Sequence, residues 1–132
     1  MPRVVWPLLD QQPMVEITLT RTDGQQVRRQ LLADTGAGKG QDLEDLALAE
    51  ADCVACGGFQ LNPVLLGGAY TGSHRVYILR IQLPDLGFDQ DLAVIAVPTC
   101  PDGFEGIAAF VFLNRFGYGN FGNPTQFGLE TP

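Results

Sequence analysis

Leu31-Leu32-Ala33-Asp34-Thr35-Gly36-Ala37 delivers a single carboxylate, on a short apolar run, into a turn of small residues. Leu31 and Leu32 suit a buried strand, and Thr35, Gly36 and Ala37 suit a tight turn at its end. Asp34 is therefore expected in a partly dry place with room around it. A carboxylate there keeps its charge only if it is hydrogen-bonded, paired with a cation, or sharing a proton with a second carboxyl. No Lys or Arg stands beside it before Lys39.

The chain leading into this stretch reads as a hairpin. Over 14–22, Val15, Ile17 and Leu19 alternate with Glu16, Thr18 and Thr20, the period of a half-buried strand. Asp23-Gly24 is a strong hairpin-turn signal, and the return strand over 25–33 ends in the apolar run that carries Asp34. Val4, Val5 and Trp6, between two prolines, suit a short edge strand.

Beyond Asp34, the residues Leu43, Leu46, Ala47 and Glu50 recur at helical spacing, which predicts a short helix within 41–52. Residues 59–66 read as a strand after Gly57-Gly58, and 75–83 as another, joined by the glycine-rich tip Gly67-Gly68-Ala69-Tyr70-Thr71-Gly72-Ser73. Pro84-Asp85-Leu86-Gly87 is a turn. The continuous apolar run 92–97 is a buried strand. A second buried strand is expected over 106–111, with one or two helical turns over 112–116. The tail 117–132 is rich in Gly, Asn and Phe and lacks periodicity, so it reads as a loop or an arm ordered only against a partner.

At 132 residues the chain is a single domain, 1–132, with its core at about 14–116. Nine prolines and sixteen glycines break it into short segments, which favours an all-β or β-rich fold over a helical bundle. A formal charge of −7 with eight Lys and Arg argues against nucleic-acid and anionic-membrane partners. No apolar run approaches a membrane span, and the first residues lack the layout of a signal peptide, so a cytoplasmic location is the default expectation. Three cysteines are an odd count and too few for a disulfide scaffold.

One carboxylate cleaves an amide poorly, because the attacking water must lose a proton while the carbonyl oxygen gains one. Two carboxyls about 3 Å apart share a single proton and can do both. The chain has one Asp-Thr-Gly, and none of its other carboxylates is followed by Thr-Gly or Ser-Gly, so the second carboxyl has to come from a second copy across a two-fold axis.

At this point the sequence resembles the retropepsins, the retroviral and retroviral-like aspartic proteases that act as homodimers, over about 15–116. The Asp34 stretch is similar to their catalytic stretch, and the tip from Gly67 to Ser73 to their flap. The run 92–97 falls where the family has an inner strand, and Ile107-Ala108-Ala109 with the following Phe112-Leu113-Asn114-Arg115-Phe116 resembles their apolar-apolar-glycine element and helix.

The resemblance implies a small closed acid-protease barrel, all-β with one or two short helices and one lobe per chain. It implies a homodimer that hydrolyses a peptide or protein substrate without metal or cofactor. By the same resemblance Asp34 is the catalytic carboxylate, supported by Thr35, Gly36 and Ala37. Gly67, Gly68, Ala69 and Tyr70 form the substrate-covering flap. Ala109 stands where the family usually has Gly, and Gly38-Lys39-Gly40 replaces its usual residues after Ala37. The rival reading is a catalytically silent domain of the same fold, serving dimerisation or peptide binding.

Other signals have plainer readings. Gly38-Lys39 between a strand and a helix brushes against a phosphate-binding loop, but Ala33 and Gly40 stand where that pattern needs Gly and Ser or Thr. Cys53, Cys56, Cys100 and His74 make a zinc set on paper, yet lack the repeated paired spacing of such sites. Asp42, Glu44 and Asp45 read as first-turn helix charges, and Asp85, Asp89 and Asp91 as a solvated edge.

Overall fold

A computed structural model describes residues 2–37, 44–66 and 72–132. Among these described residues ten strands and two short α-helices follow in order: β1 Arg3–Pro7, β2 Met14–Thr20, β3 Gln26–Ala33, β4 Leu46–Ala49, α1 Glu50–Ala55, β5 Phe59–Leu66, β6 Gly72–Leu83, β7 Phe88–Val97, β8 Gly106–Ala108, α2 Phe110–Leu113, β9 Gly117–Gly119 and β10 Gln126–Glu130. The β-rich expectation holds, and the hairpins read from alternation and turn residues lie within a few residues of their expected bounds.

Seven strands form one sheet in the order β2-β3-β8-β4-β7-β6-β5, and a further β2–β6 pairing closes six of them into a barrel with β5 outside the ring. The inside is filled by Val15, Ile17 and Leu19 from β2, Leu31 from β3, Leu46 and Leu48 from β4, Leu79 and Ile81 from β6, and Leu92 and Val94 from β7. These positions alternate along each strand, as a sheet with one face in the core requires. Burial of such side chains contributes roughly 1.5–3 kcal/mol each before the entropy of ordering is subtracted.

Two elements differ from the sequence reading. Leu46-Ala47-Leu48-Ala49 is a strand, not part of a helix over 41–52; helix begins only at Glu50. Leucine and alanine favour helix in isolation, but here Leu46 and Leu48 enter the core while β4 pairs with both β7 and β8, and that packing overrides a propensity worth tenths of a kcal/mol. Likewise the strand expected over 106–111 stops at Ala108, and Phe110 opens α2. Phe112 and Phe116 then pack edge-on to each other and to Phe88 at ring separations of 5.3–6.0 Å, which seats α2 against β7.

The tail is also ordered within the chain. β10 pairs antiparallel with β1, Trp6 lying opposite Phe127, and β9 pairs on the other side of β10 to give a second, three-stranded sheet. Phe127 and Leu129 from this sheet join the barrel core. Gly128 makes the sheet possible, since a Cβ there would come within 2.6 Å of both the Val4 carbonyl oxygen and a Val5 methyl. Among the described residues, no helix is long and apolar enough to cross a membrane.

Candidate active site

Asp34 is positioned by the backbone on both sides of it. β3 runs parallel to β8, with Leu32 beside Ile107 and Ala33 beside Ala108. The Asp34 N–H continues that ladder by donating to the Ala108 carbonyl at 3.0 Å, so Asp34 is the first residue past the strand's end. The Phe110 N–H, at the start of α2, donates to the Ala37 carbonyl at 2.9 Å and holds the far side of the turn. The Asp34 side chain is half-buried, while Thr35 and Gly36 are exposed.

Inside the turn the Gly36 N–H donates to Oδ1 of Asp34 at 2.9 Å. A Cβ at Gly36 would sit 3.2 Å from that oxygen, so a larger residue there would press the carboxylate aside by a few tenths of an ångström.

The support beneath the turn was only partly legible. Gly106 packs against the Ala47 carbonyl, with its missing Cβ 2.8–2.9 Å from methyls of Leu48 and Leu31, which brings β8 close against β4 and β3. Ala109, where glycine was the family's usual residue, has φ −80° and ψ 169°, extended backbone open to any side chain, and its N–H donates to the Asp45 carbonyl at 3.0 Å.

Asp45 itself corrects the sequence reading. It is buried, its N–H donates to the Ala93 carbonyl, and its carboxylate takes two hydrogen bonds from Arg115 at 2.7 and 3.2 Å. It is therefore a buried ion-pair partner ahead of β4 rather than a first-turn helix charge. The only sequence signal was an Asp and an Arg seventy residues apart, which local pattern cannot connect.

Gly67, Gly68, Ala69 and Tyr70, and the segment Gly38-Lys39-Gly40, lie outside the described residues. Among those described, Cys53, Cys56, Cys100 and His74 do not converge: no group of three or more His, Cys, Asp or Glu side chains is placed to hold a metal ion. Cys53 is buried in the core and desolvation pushes its thiol up to about 12; burial also raises Cys56 and Cys100. Asp85, Asp89 and Asp91 are exposed, as expected, with Arg80 bridging the last two at 3.5 and 3.2 Å.

The six-stranded closed barrel with its short helices is a retropepsin-like fold. Among solved structures, a crystal structure of a retropepsin-like aspartic protease from Rickettsia conorii has the same fold, with a TM-score of 0.50 over 89% of this chain and 92% of that chain at 18% identity. No protein-family model and no curated protein matches the chain.

Proposed function

We propose that the chain is an aspartic endopeptidase that hydrolyses peptide bonds as a homodimer, with Asp34 of each copy facing the other across a two-fold axis. The observation that carries this reading is the Asp34 turn: a half-buried carboxylate at the end of a parallel strand, hydrogen-bonded through one oxygen to the Gly36 amide and flanked by exposed small residues. The barrel fold shared with a retropepsin-like protease supports it.

In this reading the two carboxyls share one proton, because like charges that close cannot both ionise. The ionised member takes a proton from a water as it attacks the scissile carbonyl carbon, and the protonated member donates to the carbonyl oxygen. The proton taken from water then passes to the leaving amine as the carbon–nitrogen bond breaks. Thr35 and Gly36 support the turn.

The test combines mass with cleavage. Light scattering across concentration is expected to find a dimer for wild type and Asp34→Asn alike, and a peptide-library digest is expected to show cutting by wild type alone. A stable monomer, or cutting that survives Asp34→Asn, overturns the proposal. Peptides bound but never cut, with equal affinity for Asp34→Asn, would assign the fold to peptide binding instead.

A further inference from the structure

We propose that two copies of this chain join through the free edge of β9, which pairs antiparallel with β9 of the second copy, Tyr118 opposite Tyr118, so that the two tail sheets become one of six strands. This rests on the protease reading above and supplies the contact that brings in the second Asp34.

The registers fix which backbone groups of β9 are open. The Thr131 N–H donates to the Pro2 carbonyl at 3.0 Å and the Leu8 N–H to the Thr125 carbonyl at 3.1 Å, at the two ends of the β1–β10 ladder. Backbone bonds alternate sides from one strand residue to the next, so Phe127 and Leu129 bond to β1 while Gly128 and Glu130 bond to β9. Gly128 lies opposite Gly119, and Glu130 opposite Gly117. Both glycines therefore bond to β10. The N–H and C=O of Tyr118, between them, point the other way, to an edge where no strand lies among the described residues.

Among those residues three strands have a neighbour on one side only: β1, β5 and β9. Such edges are usually guarded by proline, charge or a bulge. β1 carries Arg3 and ends in Pro7, which has no N–H, and β5 has Pro63 at a register shift between Leu61 and Val64. β9 has none of these. It is Gly117-Tyr118-Gly119, exposed at Gly117 and Tyr118, and its glycines leave the backbone bare on either side of one tyrosine.

A second copy is the occupant this edge fits. A single residue with an outward N–H and C=O is its own complement, because two antiparallel strands related by a two-fold axis at that residue exchange both hydrogen bonds there. The edge also lies at the right end of the barrel. β3 and β8 run parallel, and the Asp34 turn and α2 leave them at the same end, tied by the bond from the Phe110 N–H to the Ala37 carbonyl. After α2 the chain makes one tight turn, Arg115 N–H to the Phe112 carbonyl and Phe116 N–H to the Leu113 carbonyl, and enters β9. That path keeps Gly117 within about 15 Å of Phe110. One two-fold axis is thus able to pass between the two Asp34 carboxyls and between the two Tyr118 backbones. Since β10 fills the other side of β9 and β1 the far side of β10, each copy keeps its own termini, and the dimer parts into folded monomers.

The test compares Tyr118→Pro, which removes the outward N–H at a strand edge where proline is tolerated, with Tyr118→Ala, which removes the ring and keeps the N–H. Light scattering across concentration is expected to find the proline variant dimerising about tenfold or more weakly than the alanine variant, from the loss of two backbone hydrogen bonds. Residue-resolved amide exchange on wild type is the second readout. The Tyr118 amide is expected to be protected at concentrations that give dimer and to exchange fast on dilution to monomer, with the Gly117 and Gly119 amides protected at both. A dimer whose Tyr118 amide exchanges freely, or equal dimerisation of the two variants, overturns the proposal and leaves the protease reading standing. Protection that appears only when a peptide library is added also overturns it, giving the edge to an extended peptide. A monomer at every concentration overturns both. A dimer sealed at Tyr118 that cuts no peptide supports the interface and overturns the protease reading.

Discussion

Arg115 grips Asp45 through two hydrogen bonds, Nε to Oδ1 at 2.7 Å and Nη2 to Oδ2 at 3.2 Å, and Asp45 is the one charged residue buried among those described. The pair ties the chain after α2 to the residue that enters β4, whose backbone in turn holds Ala109 and Ala93. Removing Arg115 strands a buried carboxylate. Breaking a fully buried pair costs about 3–5 kcal/mol, and the Arg115 side chain is 37% exposed, so Arg115→Ala is expected to cost about 2–3 kcal/mol in urea denaturation. Arg115→Lys, which keeps the charge but not the two-pronged geometry, recovers part of that.

Gly106→Ala tests the close approach under the Asp34 turn. The added methyl meets the Ala47 carbonyl and methyls of Leu31 and Leu48, none at the free end of a long side chain. β8 has to move away from β4, which costs about 3 kcal/mol by overpacking. Because β8 also carries the Ala108 carbonyl that accepts from Asp34, faster amide exchange at Asp34 accompanies the loss.

Cys53 makes stability fall in alkali. Its thiol is raised from about 9 in the unfolded chain to about 12 in the folded one, so the folded state holds this proton more tightly. The contribution is fully present below about pH 9 and is lost as pH rises through about 12. The decline of unfolding free energy over that window is therefore expected to be steeper in wild type than in Cys53→Ala. At pH 8 the Cys53 thiol is expected to resist alkylation while the protein is folded.

Phe121 offers an inverted ranking of substitutions. It holds φ +50°, a left-handed backbone uncommon for a bulky residue, with its ring over Gly128 and the Arg3 guanidinium 4.0 Å from the ring centroid. Phe121→Ala loses the ring contacts and keeps the strain, whereas Phe121→Gly loses the contacts and relieves it. Thermal melts are expected to place the glycine variant about 1 kcal/mol above the alanine variant, the reverse of the order inside a helix.

The sequence alone carried the hairpins and the turn at Asp34, because those features are local. Alternation in β2, the Asp23-Gly24 turn and the apolar run into Asp34 each depend on neighbours a few residues apart. Tertiary structure decided the rest. Leu46-Ala47-Leu48-Ala49 became a strand because two other strands were waiting on either side of it. The glycine-rich tail became strand because β1, at the opposite end of the chain, pairs with it and Gly128 allows the approach. Asp45 found Arg115 only when the fold brought residues seventy positions apart together. Periodicity states which face a residue belongs to, but not which residue will lie across from it. That depends on strand order and register, which are properties of the closed barrel.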